Sequence, residues 1–296
     1  MTQEIEIKFC LNPDFHADIA GFIEEICAKE QKINNLGNSY FDTPDLALRR
    51  LDMGLRIRRW GDQAEQTIKC RGQGVGGLHS RPEYNAPVSG DRPDLALFPA
   101  TIWPQGCDVA ALQQALSPLF RTDFARTTWQ VVYQGAEIEL AHDRGEIEGR
   151  LGRESIDELE LELKSGPAVA LFELAARLLA LGGLRPGHQS KAQRGYLLAG
   201  QGTPWALRGT PLPGDLAGLV DDLQHHEACL LAQVDGAAPR ITAAARALLA
   251  QAQGQAWQAP LRRWLAAWEA SPDAARLYQP DYGAFLLAIS RQLHGA

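Results

Sequence analysis

Strict alternation of charged and apolar residues runs through Glu4-Ile5-Glu6-Ile7-Lys8-Phe9. Successive side chains of a strand point to opposite faces, so Glu4, Glu6 and Lys8 share one face and Ile5, Ile7 and Phe9 the other. The alternation returns in Gly54-Leu55-Arg56-Ile57-Arg58 and in Gln66-Thr67-Ile68-Lys69-Cys70. It is present again over 124–133, where Arg126, Thr128 and Gln130 share a face, and over 136–143, where Glu137, Glu139 and Asp143 oppose Ile138 and Leu140. It is densest in Glu158-Leu159-Glu160-Leu161-Glu162-Leu163-Lys164. A further strand fits 33–41, and Gln134-Gly135 and Arg144-Gly145 read as turns.

Between these strands the period becomes helical. After the turn Asn12-Pro13-Asp14, the residues Phe15, Ile19, Phe22, Ile23 and Ile26 predict a helix reaching about Ala28. Asp42-Thr43-Pro44-Asp45 is a helix-start signal, and the Pro- and Ala-rich stretch 91–119 predicts short helices on the outside. A helix is expected over 167–181, with Pro167 at its start, and a shorter one over 190–198. The glycines and prolines of 201–214 read as a linker. Beyond them, 215–296 is alanine- and leucine-rich, with helical runs near 216–234, 241–252, 261–270 and 284–293.

Gly72-Gln73-Gly74-Val75-Gly76-Gly77 formally matches GxGxxG. A dinucleotide site needs a helix immediately afterwards to present its N-terminus to phosphate. Here the alternating Leu78-His79-Ser80-Arg81-Pro82-Glu83-Tyr84 follows, so the glycines read as a hairpin loop. No GxxxxGK[ST] phosphate loop occurs.

The charged strand faces decide the architecture. Signs are sorted: Arg56, Arg58, Lys69, Arg81 and Arg126 lie on the middle strands, and Glu4, Glu6, Glu137, Glu139, Glu160 and Glu162 on the first and last. Like charges side by side cost stability unless ligands of opposite sign lie between them. The fold expected is α+β: a closed antiparallel β-barrel tunnel with a polar lumen, its leucines and isoleucines pointing outward under a sheath of helices, followed by a small C-terminal helical domain. The expected division is a tunnel domain over 1–200, the linker over 201–214 and the helical tail over 215–296.

Composition narrows the class. The chain has 296 residues, 45% of them apolar and 22% charged, which is ordinary for a soluble globular protein. A net charge of -7 argues against a general nucleic-acid binder. The five cysteines are scattered and form no CxxC pair, so they read as reduced thiols in a cytoplasmic protein. No apolar run reaches membrane-spanning length, and the charged opening strand is not a signal peptide.

The residues together resemble the CYTH family of triphosphate tunnel metalloenzymes. They include the ExExK strand, Tyr40-Phe41-Asp42-Thr43-Pro44, Leu55-Arg56-Ile57-Arg58, Gly76-Gly77-Leu78-His79 with Arg81-Pro82-Glu83-Tyr84, the ELELEL strand, and Ser190-Lys191 with Arg194-Gly195-Tyr196. The resemblance covers roughly residues 1–200 and is nearest to bacterial inorganic triphosphatases that carry a CHAD-type helical tail. It implies a tunnel of roughly eight strands. It implies metal binding by Glu4, Glu6, Glu139, Glu160 and Glu162, with Mg²⁺ or Mn²⁺ as the cofactor. It implies triphosphate binding by Lys8, Arg56, Arg58, Lys69, Arg81, Arg126 and Lys191, with Glu4, Glu6, Lys8 and Lys69 at the reacting centre. Read on their own, Lys191 has a solvated helix lysine as its lesser alternative, Tyr40 is equally a packing aromatic, and Asp42 has a plain helix cap as its alternative.

The expected activity is metal-dependent hydrolysis of inorganic triphosphate to pyrophosphate and phosphate, by a monomer acting on a small molecule. Thiamine triphosphatase, adenylate cyclase of class IV type and a non-catalytic triphosphate or polyphosphate sensor are the alternatives. The tail resembles a shortened CHAD domain at His225-His226-Glu227 and at Tyr282-Gly283-Ala284-Phe285-Leu286-Leu287. With seven Arg, no Lys and eight acidic residues over 201–296, it reads as a packing partner for one side of the tunnel rather than a polyphosphate binder. His225 and His226 are adjacent and cannot share a helix face, so they make a poor metal pair. All the motif residues precede Gly202, so the site is expected to be complete without the tail.

Overall fold

The computed structural model of the protein describes residues 2–14, 17–26 and 29–296. The strands are β1 (Thr2–Leu11), β2 (Lys29–Asp42), β3 (Gly54–Trp60), β4 (Gln63–Lys69), β5 (Gln73–Val75), β6 (Leu78–Pro87), β7 (Ser117–Tyr133), β8 (Ala136–Gly149), β9 (Gly152–Ser165) and β10 (Leu184–Pro186). The helices are α1 (Ile19–Glu25), α2 (Ala47–Arg50), α3 (Val109–Ala115), α4 (Ala168–Leu179), α5 (Lys191–Leu198), α6 (Leu216–Leu231), α7 (Ala237–Ala250), α8 (Gln258–Ala270) and α9 (Pro280–His294). Phe15 and Ala28, the expected ends of the first helix, lie outside the described residues, as does Cys27; the other four cysteines are free.

Antiparallel pairing runs β1-β9-β8-β7-β2-β3-β4-β6, and β6 pairs back onto β1. Eight strands therefore close into a barrel, a size at which inward side chains line a narrow lumen. The short β10 and β5 extend the sheet beside β1 and β6. β5 and β6 form the hairpin expected from the glycine-rich stretch. Gly76 and Gly77 both take positive φ, 58° and 92°, which a two-residue hairpin turn of this hand requires.

The apolar faces point outward. Ile7, Phe9, Ile138, Leu140, Leu159 and Leu161 are buried under α4, whose Leu171, Leu174, Ala175 and Leu178 complete that core. On the opposite side of the barrel, Leu55, Ile57 and Ile68 are covered by Leu95, Phe98 and Leu116 of the segment between β6 and β7. That segment holds the expected short helices.

The structure departs from the sequence reading in three places that bear on the site. Arg144-Gly145 is not a turn but lies inside β8. Gly145 is opposite Phe124, and a Cβ there would meet the Asp123 carbonyl oxygen at 2.1 Å, so glycine serves close strand approach. The β8–β9 turn falls instead between Gly149 and Gly152. β7 begins at Ser117, because Phe120 and Phe124 alternate inward where charged residues are the expected marker. The lumen is consequently not polar throughout: Leu36, Tyr40, Phe120, Phe124, Ile147 and Ile156 fill one part of it, packed against Tyr196 and Ala199 at α5.

Helices α6 to α9 build their own core around Trp257, Trp264, Trp268, Tyr282 and Phe285. They pack on the barrel through α9 against α4 and β10 and through α6 against β5. The 201–214 segment has no regular secondary structure and lies along α6, with the Ala206 carbonyl accepting from His225 at 2.8 Å. No helix among the described residues is long and apolar enough to cross a membrane.

Candidate active site

Strand alternation and register place the charged faces in one cavity of about 550 Å³. Glu4, Glu6, Lys8, Arg56, Arg58, Lys69, Arg81, Arg126, Glu139, Glu160, Glu162 and Lys191 all line it, so every residue expected at the site is brought together. Glu137, which alternation alone puts on the same strand face as Glu139, stays outside the cavity: it is exposed at the start of β8, where it accepts from the Ser165 hydroxyl. Nine lysines and arginines face seven aspartates and glutamates across the cavity, an excess of positive charge that suits an anionic guest.

The acidic side is set by register. Glu6 of β1 is opposite Glu162 of β9, and Glu162 is opposite Glu139 of β8, so three carboxylates sit in one row on adjacent strands. Lys164 pairs with Glu162 at 2.7 Å and with Glu139 at 3.6 Å, and Gln130 donates to Glu139 at 3.0 Å. The Glu6 side chain has no hydrogen bond or ion pair among the described residues. Burial, together with the Glu160 and Glu4 carboxylates, pushes its carboxyl up to about 7. Burial likewise raises Glu162, against the pull of Lys164.

The basic side is its counterpart. Arg56, Arg58 and Arg81 make no ion pair within 4.0 Å among the described residues. Arg56 Nε is buried without a hydrogen-bond partner. Burial opposes the Arg56 charge, and the Tyr40 hydroxyl and the Glu83 carboxylate favour it, holding its proton more tightly than usual. Arg58 Nε donates to Asn38 at 2.9 Å, and burial beside Arg56 and Arg126 lowers its affinity for a proton. Arg81 donates to the His79 ring at 3.1 Å. Half-buried guanidinium groups without ion-pair partners carry a cost that a bound anion offsets.

Ion pairs hold the remainder. Lys69 bridges Glu4 at 2.6 Å and Glu83 at 3.0 Å. Arg126 forks onto Asp143 at 2.6 Å and reaches Glu160 at 2.5 Å. Lys191 is not a solvated helix lysine: it is 9% exposed and lies 2.8, 2.7 and 2.7 Å from Asp143, Glu158 and Glu160. Burial opposes its charge, but those three carboxylates outweigh burial and hold its proton more tightly than usual. Tyr40 packs on Phe120 as well as lining the cavity. Asp42 caps α2, accepting from the Leu48 and Arg49 amides at 2.9 and 3.0 Å, and also accepts from the Tyr196 hydroxyl at 2.8 Å.

Sequence reasoning misses Glu83, Lys164, Asp143 and Glu158 at the site. Their signal is the same alternation, since each shares a strand face with a residue that it names. Arg49 and Asp52 also line the cavity, from α2 and the turn after it, where no periodicity marks them.

No preformed cluster of three metal-ligating side chains occurs among the described residues. The donor set nonetheless fits a hard divalent cation. All the candidates are carboxylates, and the unpartnered Glu6 lies beside two others whose repulsion a cation would relieve.

The sequence model of the CYTH domain family matches residues 2–196. An inorganic triphosphatase of Haemophilus influenzae is 38% identical over 203 residues, 67% of this chain and 55% of that protein. The chain thus spans about half the length of that relative. A solved structure from Hippeastrum, described as a candidate adenylyl cyclase with a dominant triphosphatase activity, is 19% identical with a TM-score of 0.46, covering 68% of this chain and 98% of its own. One from Bacillus halodurans, described as a candidate adenylate cyclase, is 22% identical with a TM-score of 0.39, covering 66% and 98%.

Proposed function

This chain belongs to the CYTH domain family, and we propose that it hydrolyses inorganic triphosphate to pyrophosphate and phosphate in the barrel lumen, with Mg²⁺ or Mn²⁺ as cofactor. One observation carries the reading: Arg56, Arg58 and Arg81, without ion-pair partners among the described residues, share a cavity with the carboxylate row Glu6, Glu162 and Glu139. The arrangement has a place for a polyanion and a place for a cation beside it.

In this reading Arg56, Arg58 and Arg81 bind non-bridging phosphoryl oxygens, forks that match such oxygens better than an ammonium does. Lys8, Lys69, Arg126 and Lys191 add positive charge, and their carboxylate partners hold them in place. Glu4, Glu6, Glu139, Glu160 and Glu162 would hold the metal, which when bound supplies polarisation of a phosphoryl oxygen and of water. Water adds to the terminal phosphorus as the bridging P–O bond breaks, and pyrophosphate leaves with the electron pair. The cationic side chains stabilise charge on the transferring group and on the leaving pyrophosphate. No side chain is placed as a dedicated general base.

The test is phosphate release from inorganic triphosphate with Mg²⁺, with Mn²⁺ and with EDTA. Release of one phosphate and one pyrophosphate, abolished by EDTA, is the expected result. Tight binding without turnover would make the protein a sensor instead, and cyclic AMP from ATP would make it a cyclase.

A further inference from the structure

Lys8 is held by two loops that the helical tail touches. Its amide donates to the Gly77 carbonyl at 2.9 Å, its carbonyl accepts from the Gly187 amide at 2.8 Å, and its Nζ donates to the Gln189 carbonyl. Gly77 belongs to the β5–β6 turn, and Gly187 and Gln189 follow β10. The side chain is only 2% exposed, so these contacts fix the direction from which its ammonium enters the lumen.

Both loops are tied to α6. Gln224 accepts from the Gly76 amide at 3.0 Å. Glu227 pairs with Arg185, the middle residue of β10, and also accepts from the Tyr282 hydroxyl of α9. Asp221 lies 3.5 Å from His188. These three residues are spaced three apart and share one face of α6. Glu227 is 2% exposed and Arg185 13%. A buried ion pair is a weak source of stability, because desolvation offsets most of the attraction, but losing one partner leaves the other charge buried alone.

We propose that Glu227 is a positioning residue for Lys8, and that α6 is thereby part of the catalytic architecture. The sequence reading makes the tail a packing partner with the site complete without it; this contact set ties it to the lumen. The inference rests on Lys8 acting on triphosphate as proposed above.

The test uses the full chain with Glu227→Ala, Lys8→Ala and the double variant, assayed with inorganic triphosphate and Mg²⁺. Glu227→Ala is expected to lower kcat about tenfold, with KM within about twofold. In the Lys8→Ala background it should cost less than about twofold, since the two act through one group. A full additional tenfold loss there overturns the proposal. Glu227→Gln, whose amide oxygen still accepts from Arg185 while its amide nitrogen donates to the Tyr282 hydroxyl oxygen, should restore kcat to within about threefold. Should Glu227→Ala fail to fold, Gln224→Ala takes its place, with a loss of about threefold and the same non-additivity expected. Amide exchange of the Lys8 and Gly187 peptide groups reads the clamp without turnover. Exchange about tenfold faster in Glu227→Ala supports it and unchanged exchange overturns it. An inactive wild type would sink the triphosphatase reading and leave the exchange result standing.

Discussion

Glu6 carries a cost in stability that the metal-binding role proposed for it would explain. It is opposite Glu162 across the β1–β9 ladder, its side chain has no hydrogen-bond partner among the described residues, and its carboxyl is raised to about 7 by burial and by Glu160 and Glu4. A raised carboxyl binds its proton more tightly folded than unfolded, so stability falls as pH rises from the unfolded value towards 7. In EDTA at pH 8, Glu6→Gln should therefore stabilise the fold, on the order of 3 kcal/mol, since each tenfold change in proton affinity is worth about 1.4 kcal/mol. The gain should shrink as pH falls through 7 and vanish below the usual carboxylate range. Added Mg²⁺ or Mn²⁺ should stabilise the wild type and not the variant, and turnover should be nearly abolished. Thermal unfolding across pH with and without metal checks this; a variant less stable than wild type at pH 8 in EDTA would show that Glu6 is a satisfied structural group. At this scale, which face a residue takes is legible in the sequence, because alternation has a period of two. Its partners are not: the contacts of Lys191 with Asp143 and Glu158 depend on register and on where α5 docks, which local sequence does not carry.

Among the elements, α5 carries the most consequence for its length. Ser190 caps it, accepting from the Gln193 amide at 3.2 Å while Gln193 accepts from the Ser190 amide at 2.9 Å. Lys191 and Arg194 then reach the carboxylates of β9. Gly195 lets the helix press onto Phe120, for an added Cβ would lie 2.0 Å from the ring. That ring is already stacked on Tyr40 at 4.5 Å and meets Tyr196 edge-on at 5.4 Å, so it has little room to retreat. Gly195→Ala should cost about 1–3 kcal/mol by overpacking, less whatever alanine adds to helix propensity. It should also reduce turnover by shifting Lys191. Unchanged thermal stability and activity in the variant would mean that α5 is not held by this contact. The helix itself is legible from Ser190 and its periodicity, whereas the aromatic packing beneath it is not, because β7 loses its charged marker where it turns apolar inside.

For the whole molecule, if the proposed activity holds, the balance of charge and ring contacts sets which triphosphate is preferred. The cavity is lined mainly by acids, lysines and arginines, groups that recognise phosphoryl oxygens. Reading a nucleobase needs a free aromatic face or well-placed amides. The two aromatic side chains lining the cavity are Tyr40, stacked on Phe120, and Tyr196, covered by the Arg49 guanidinium at 4.5 Å. A base would gain little from either and would add bulk at the entrance, whereas inorganic triphosphate presents its charge to the guanidinium groups without it. The expected order of kcat/KM under one metal condition is inorganic triphosphate above ATP and above thiamine triphosphate, with ATP lower by about tenfold or more, the loss of roughly 1.4 kcal/mol of transition-state binding. Parallel assays of the three substrates measure it. An ATP value equal to or above that of inorganic triphosphate would mean that the lumen reads more than phosphate, and the assignment of Arg56, Arg58 and Arg81 as the principal recognition groups would have to be abandoned.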